Sequence, residues 1–129
     1  MRKIKFRFRL EDKITKEIIV TYAELYNPKY SSDLMQYPIN LKEFNVLSID
    51  EYTGLRDKNA KEIYEGDIIK YYDYMTKDYD VCKIEWISKF ITYVAKDRLD
   101  NDIFIQKIDE RRIEVIGNIY ENSNLLEDN

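Results

Sequence analysis

The run at residues 3–10 constrains this chain most. Ile4, Phe6, Phe8 and Leu10 alternate strictly with Lys3, Lys5, Arg7 and Arg9. A period of two puts the apolar side chains on one face of a β-strand and the cations on the other. Short β-branched and aromatic runs of the same kind recur along the chain, each closed by turn residues. After a turn at Glu11-Asp12-Lys13, residues 17–22 return as a second strand, so a first hairpin is expected. Residues 49–53 lead into a central stretch that ends in a strand over 68–72. Residues 79–87 alternate again, with Asp80, Cys82, Ile84 and Trp86 on one face, which predicts a strand with Trp86 inward. Residues 90–94 are its hairpin partner, 103–108 a further strand and 113–120 the last. Residues 71–80 and 96–102 read as loops, and 109–112 as a turn. In 26–45 the pairs Asn27-Pro28, Ser31-Ser32 and Tyr37-Pro38 allow only short helical turns, capped by Ser32 or Asp33 and by Asn40. In the tail, Leu125 and Leu126 are expected to pack on a neighbour. Seven or eight short strands with one or two helical turns predict a mainly β chain, a small antiparallel barrel-like or sandwich domain. With 129 residues, a single domain over 1–129 is expected.

The chain has three glycines: Gly54 and Gly66 in the stretch 52–72, and Gly117 in the stretch 114–126. A chain this poor in glycine keeps it where the backbone needs φ > 0 or passes close to something. Asp57-Lys58-Asn59-Ala60 reads as a tight turn, with Asn59 expected in the left-handed position. Glu65-Gly66-Asp67 turns the chain into the strand at 68–72, and Gly117 is expected at a bulge or a close contact.

These residues also carry a resemblance. Tyr-Thr-Gly-Leu-Arg-Asp-Lys-Asn-Ala-Lys-Glu-Ile-Tyr-Glu-Gly-Asp-Ile-Ile from Tyr52, with Glu-Val-Ile-Gly-Asn-Ile-Tyr-Glu-Asn-Ser-Asn-Leu-Leu from Glu114, resembles the YopX family of phage and prophage proteins. The opening Arg2-Lys3-Ile4-Lys5-Phe6-Arg7 is similar to that family's as well. The motif positions are Gly54, Asp57, Asn59, Glu65, Gly66, Asp67, Gly117 and Asn118. Ala60 stands where the family usually has a turn glycine, Phe8-Arg9 where an Ala-Trp pair is usual, and residues 73–111 match poorly. The resemblance implies a small, largely β, self-associating protein of phage origin, and it transfers no catalytic residue.

Composition narrows the chemistry. With no histidine the usual neutral-pH base and the commonest transition-metal ligand are missing, and one cysteine, Cys82, makes neither an internal disulfide nor a thiolate zinc site. Three scattered glycines make no phosphate loop. The N-terminus lacks a signal peptide's apolar segment and no stretch is long and apolar enough for a membrane helix, so a protein of the bacterial host cytoplasm with no membrane partner is expected. No cofactor and no metal are expected.

A formal net charge of −4, from 21 Lys and Arg against 25 Asp and Glu, speaks against nucleic-acid binding through overall charge. Twelve tyrosines suit half-buried strand faces and interfaces. The leading reading is a non-enzymatic, self-associating structural or interaction module. In it, edge strands and Tyr71, Tyr72, Tyr74 and Tyr79 pair between subunits, with a phage or host protein as a further partner. The alternative is a small barrel for single-stranded nucleic acid, with those tyrosines stacking bases and Lys3, Lys5, Arg7, Arg9 and Lys70 meeting phosphates. A third reading, a carboxylate and Mg²⁺ nuclease on Glu65 and Asp67, ranks below both, because acids in turns ordinarily bond backbone amides.

Overall fold

The computed structural model describes residues 3–24 and 41–127, with only the backbone of Leu41. The chain is mainly β and forms two antiparallel sheets; its helical content among the described residues is four single 3₁₀ turns. Neither sheet closes into a barrel. The strands are β1 (Lys5–Asp12), β2 (Ile18–Glu24), β3 (Phe44–Arg56), β4 (Glu62–Tyr64), β5 (Asp67–Asp73), β6 (Asp78–Ile87), β7 (Thr92–Asp97), β8 (Asp102–Phe104) and β9 (Ile113–Asn118). The sheet orders are β2-β1-β3-β4 and β8-β7-β6-β5-β9. Contacts divide the chain into two compact units, Met1–Gly54 and Leu55–Asn129. No helix among the described residues is long and apolar enough to cross a membrane.

In the first unit the expected hairpin forms, with Leu10 opposite Ile19 and Lys5 opposite Glu24. Asp12 starts its turn by accepting hydrogen bonds through Oδ1 from the N–H groups of Ile14 and Thr15, at 2.8 and 2.9 Å. Phe8, Leu10 and Ala23 form a small core with Phe6 and Phe44 packed on it. The cation face departs from expectation. Arg7 and Arg9 are 7% and 3% exposed rather than solvated. Arg7 lies directly opposite Asp50 of β3 and donates to its Oδ2 from Nη2 at 3.0 Å and Nε at 3.2 Å. Alternation sorts side chains onto two faces but does not say that only one face is covered. The helical turn expected after Asn40 is the 3₁₀ turn Leu41–Glu43, whereas the one expected at Ser32 or Asp33 lies outside the described residues.

In the second unit, Ile63, Ile69, Tyr71, Cys82, Ile84, Tyr93, Ala95, Ile105, Ile108 and Ile113 make the core. Three boundaries and the burial of Trp86 differ from the sequence reading. The stretch expected as a loop over 71–80 is mostly strand: β5 and β6 pair as far as Asp73 opposite Asp78 and leave only a four-residue turn. Phe90 and Ile91 lie in the turn before β7, with Ile91 at φ 52, so apolar character there does not mark a strand. The strand expected over 103–108 stops at Phe104 and becomes a 3₁₀ turn, Ile105–Lys107, that still buries Ile105. Trp86 shares the face of Cys82 and Ile84 but sits near the strand end, 39% exposed and edge-to-face with Tyr93 at 5.0 Å. The tail closes in the 3₁₀ turn Ser123–Leu126, where the Leu125 carbonyl accepts a hydrogen bond from Arg98 Nη2 at 2.8 Å.

Candidate functional site

Period two along the β5–β6 hairpin sorts its tyrosines. Tyr71 points to the core, while Lys70 and Tyr72 take the other face, with Tyr79 directly opposite Tyr72. Tyr74 follows in the turn, where Asp73 Oδ1 accepts from the Met75 N–H at 2.8 Å. The Tyr72 ring lies edge-on to both Tyr74 and Tyr79, with centroids 5.0 and 5.1 Å apart. β9 pairs on the far side of β5, placing Glu114 opposite Lys70. The 3₁₀ turn Glu110–Arg112, capped by Asp109, therefore delivers Arg111 and Arg112 beside the hairpin.

The result is a groove of about 240 Å³ lined by Lys58, Lys70, Tyr72, Tyr74, Tyr79, Arg111, Arg112 and Glu114. Arg112 places its guanidinium carbon 4.5 Å from the ring centroids of both Tyr71 and Tyr74, and its Nε donates to the Tyr72 carbonyl at 2.7 Å. Lys70 lies over the Tyr79 ring at 4.5 Å. Lys58 and Glu114 pair at 3.0 Å, and the hydrogen bond to Glu114 raises the Lys58 pKa above its ordinary value. Arg111 pairs with Asp109 at 2.9 Å, and its side chain holds that carboxyl below the usual carboxylate range.

The second notable geometry joins the two glycine-bearing stretches. Asp57, 5% exposed, accepts through Oδ1 from the N–H groups of Asn59 and Lys61 and through Oδ2 from that of Val115 in β9, all at 2.9 Å. The Lys58 N–H donates to the Ile113 carbonyl at 2.9 Å. Gly66, at φ +87, donates its N–H to the Ile84 carbonyl and accepts from the Ile119 N–H, each at 2.9 Å. Asp67 is 1% exposed, and its Oδ2 accepts from the Tyr64 N–H at 2.8 Å. One pattern spans both stretches, and a family model described as YopX protein matches residues 7–127. The chain belongs to the YopX family.

A comparison with curated proteins finds no match. Among solved structures, this YopX-family chain is similar to the crystal structure of protein EF1440 from Enterococcus faecalis, at 19% identity, over 95% of this chain and 98% of that chain, with a TM-score of 0.45.

The YopX motif residues occupy turns and close approaches. Gly54, at φ +93 in β3, has nothing within 4 Å of where a Cβ would sit, so its backbone conformation, not space, calls for glycine there. Glu65 is half-buried in the turn before Gly66. Ala60, not Asn59, takes the left-handed position, at φ 65. Asn59 instead gives its N–H to Asp57, and the turn reverses one residue later. Gly117 meets both expectations: the β5–β9 register shifts between Ile68 and Ile69, and a Cβ on Gly117 would lie 2.5 Å from Asn122 Oδ1. Asn118 caps the following turn, its Oδ1 accepting from the N–H groups of Tyr120 and Glu121.

Of the residues singled out for binding, Lys70, Tyr72, Tyr74 and Tyr79 come together in the groove, whereas Tyr71 is buried beneath it. The run at 3–10 contributes no exposed cation strip, since Lys3 and Lys5 reach Glu24 at 2.9 and 3.9 Å and Arg7 reaches Asp50. Lys58, Arg111, Arg112 and Glu114 were not singled out. Arg111-Arg112 reads only as a turn until β9 is known to pair with β5, some forty residues earlier in the chain.

Proposed function

We propose that this YopX-family protein is a non-enzymatic interaction module that self-associates through β2. The observation behind this reading is the apolar surface of that strand, which lies at the end of its sheet among the described residues. Ile18, Val20 and Tyr22 are exposed on one face and Ile19 on the other, and Val46, Leu47 and Ile49 of β3 are exposed in the same sheet. Edge strands with apolar side chains on both faces add to one another readily. A second copy is the fitting occupant. Antiparallel pairing of two β2 strands about Val20 sets Ile18 opposite Tyr22, so apolar meets apolar on both sides of the centre.

The non-enzymatic part of the reading draws on the acids. Of the pair Glu65 and Asp67 on which a nuclease would rest, Asp67 is buried and accepts the Tyr64 N–H, and Glu65 is half-buried in the turn before Gly66. Light scattering after size exclusion, at low and high salt and with and without nuclease treatment, tests the proposal. A salt-resistant oligomer free of nucleic acid, reduced to monomer by Val20→Lys, is the expected result. A monomeric wild type, or an oligomer that Val20→Lys leaves intact, overturns it.

A further inference from the structure

We propose that the groove between the β5–β6 hairpin and the turn before β9 binds a nucleotide, with its phosphate on Lys70 and Arg112 and its base against Tyr74 and Tyr79. This site goes beyond self-association through β2 and uses none of the β2 and β3 residues on which that proposal rests. Its walls carry four cations against a single carboxylate. Glu114 is taken by Lys58 and Arg111 by Asp109. Lys70 and Arg112 differ, because among the described residues each rests on tyrosine rings and neither has a carboxylate within 4 Å. A cation on a π-face keeps its charge and most of its N–H donors for an anion. Arg112 is also held in place through its Nε, which leaves a planar fork already oriented for phosphate oxygens.

The aromatic half of the site is equally specific. Tyr74 and Tyr79 are 64% and 47% exposed at the rim of the groove, beside those cations. A bare anion would need only the cations, whereas ring surface next to phosphate-binding groups suits a base and its phosphate together. The acids of the same hairpin do not oppose this. Asp73 and Tyr72 are adjacent in β5, and Asp78 and Asp80 flank Tyr79 in β6, so alternation turns all three acids to the opposite face.

Two sources share this chemistry, a mononucleotide and a unit within a single strand. Isothermal titration calorimetry of the full chain with adenosine 5′-monophosphate, inorganic phosphate and a ten-nucleotide oligo-dT, at low and high salt, separates them. Binding of the monophosphate as tightly as the oligonucleotide assigns the free nucleotide, and tighter, salt-sensitive binding of the oligonucleotide assigns the strand. Tyr74→Ala and Lys70→Gln, each with an unchanged unfolding midpoint, are expected to weaken binding about tenfold, whereas Lys89→Gln, outside the groove, leaves it unchanged. The assignment is overturned if neither nucleotide binds, if inorganic phosphate binds as tightly as the nucleotides, or if both groove variants bind like wild type. Val20→Lys is expected to keep nucleotide binding, so failure of either proposal is visible without the other.

Discussion

Ala60 holds a left-handed backbone, φ 65, in a turn whose other bonds are well made. For a residue with a Cβ that conformation costs about 1–2 kcal/mol, and glycine avoids it at an entropic cost of about 0.5–1 kcal/mol. Ala60→Gly is therefore expected to stabilise the protein by about 0.5–1 kcal/mol, read as a higher urea midpoint at unchanged slope; a lower midpoint contradicts the turn geometry. That a left-handed residue belongs in 57–60 is legible from the Asp and Asn types. Which residue takes it is not, because the answer depends on Asp57 Oδ1 accepting from both Asn59 and Lys61. Asp57 itself reads from sequence as a turn acid. Its third hydrogen bond, to Val115, makes it also the link between two distant stretches.

At the scale of elements, β9 and the turn after it depend on Gly117. A Cβ there would crowd Asn122, whose Oδ1 accepts from the Asn118 N–H at 3.2 Å. Gly117→Ala is expected to destabilise by about 1–3 kcal/mol, as crowding of a packed site does. Combining it with Asn122→Gly is expected to cost less than the sum of the two single changes, by about 0.5 kcal/mol or more in a double-mutant cycle followed by denaturant unfolding. Strict additivity would mean the two residues do not meet. Hairpins are the elements that sequence reads well: β1–β2 and β6–β7 join neighbouring runs, and turn chemistry sets their register. Their ends read less well. Phe90 and Ile91 are apolar yet lie in a turn, and 71–73 is tyrosine- and acid-rich yet lies in a strand, because burial at an element's end is set by what packs there.

Over the whole molecule, Cys82 reports on opening of the second unit. Burial, followed by the charges of Asp80 and Asp97, pushes its thiol up to about 12. At pH 8 the native thiolate fraction is then about one part in 10,000, so iodoacetamide is expected to label Cys82 only as the unit unfolds, at a rate that follows denaturant. Fast labelling of the native protein at any denaturant concentration would contradict its burial. The run at 3–10, the turn acids and the three glycines determine by themselves that the chain is mainly β, where it bends and which family it resembles, because alternation and φ > 0 are local demands of a few residues. The pairing of β9 with β5, the burial of Arg7 against Asp50 and the gathering of Arg111, Arg112 and Lys58 around the tyrosines are decided by tertiary structure alone. Each of these joins residues from separate strands and turns of the chain, and no local propensity says which distant strand completes an edge or which charge it brings.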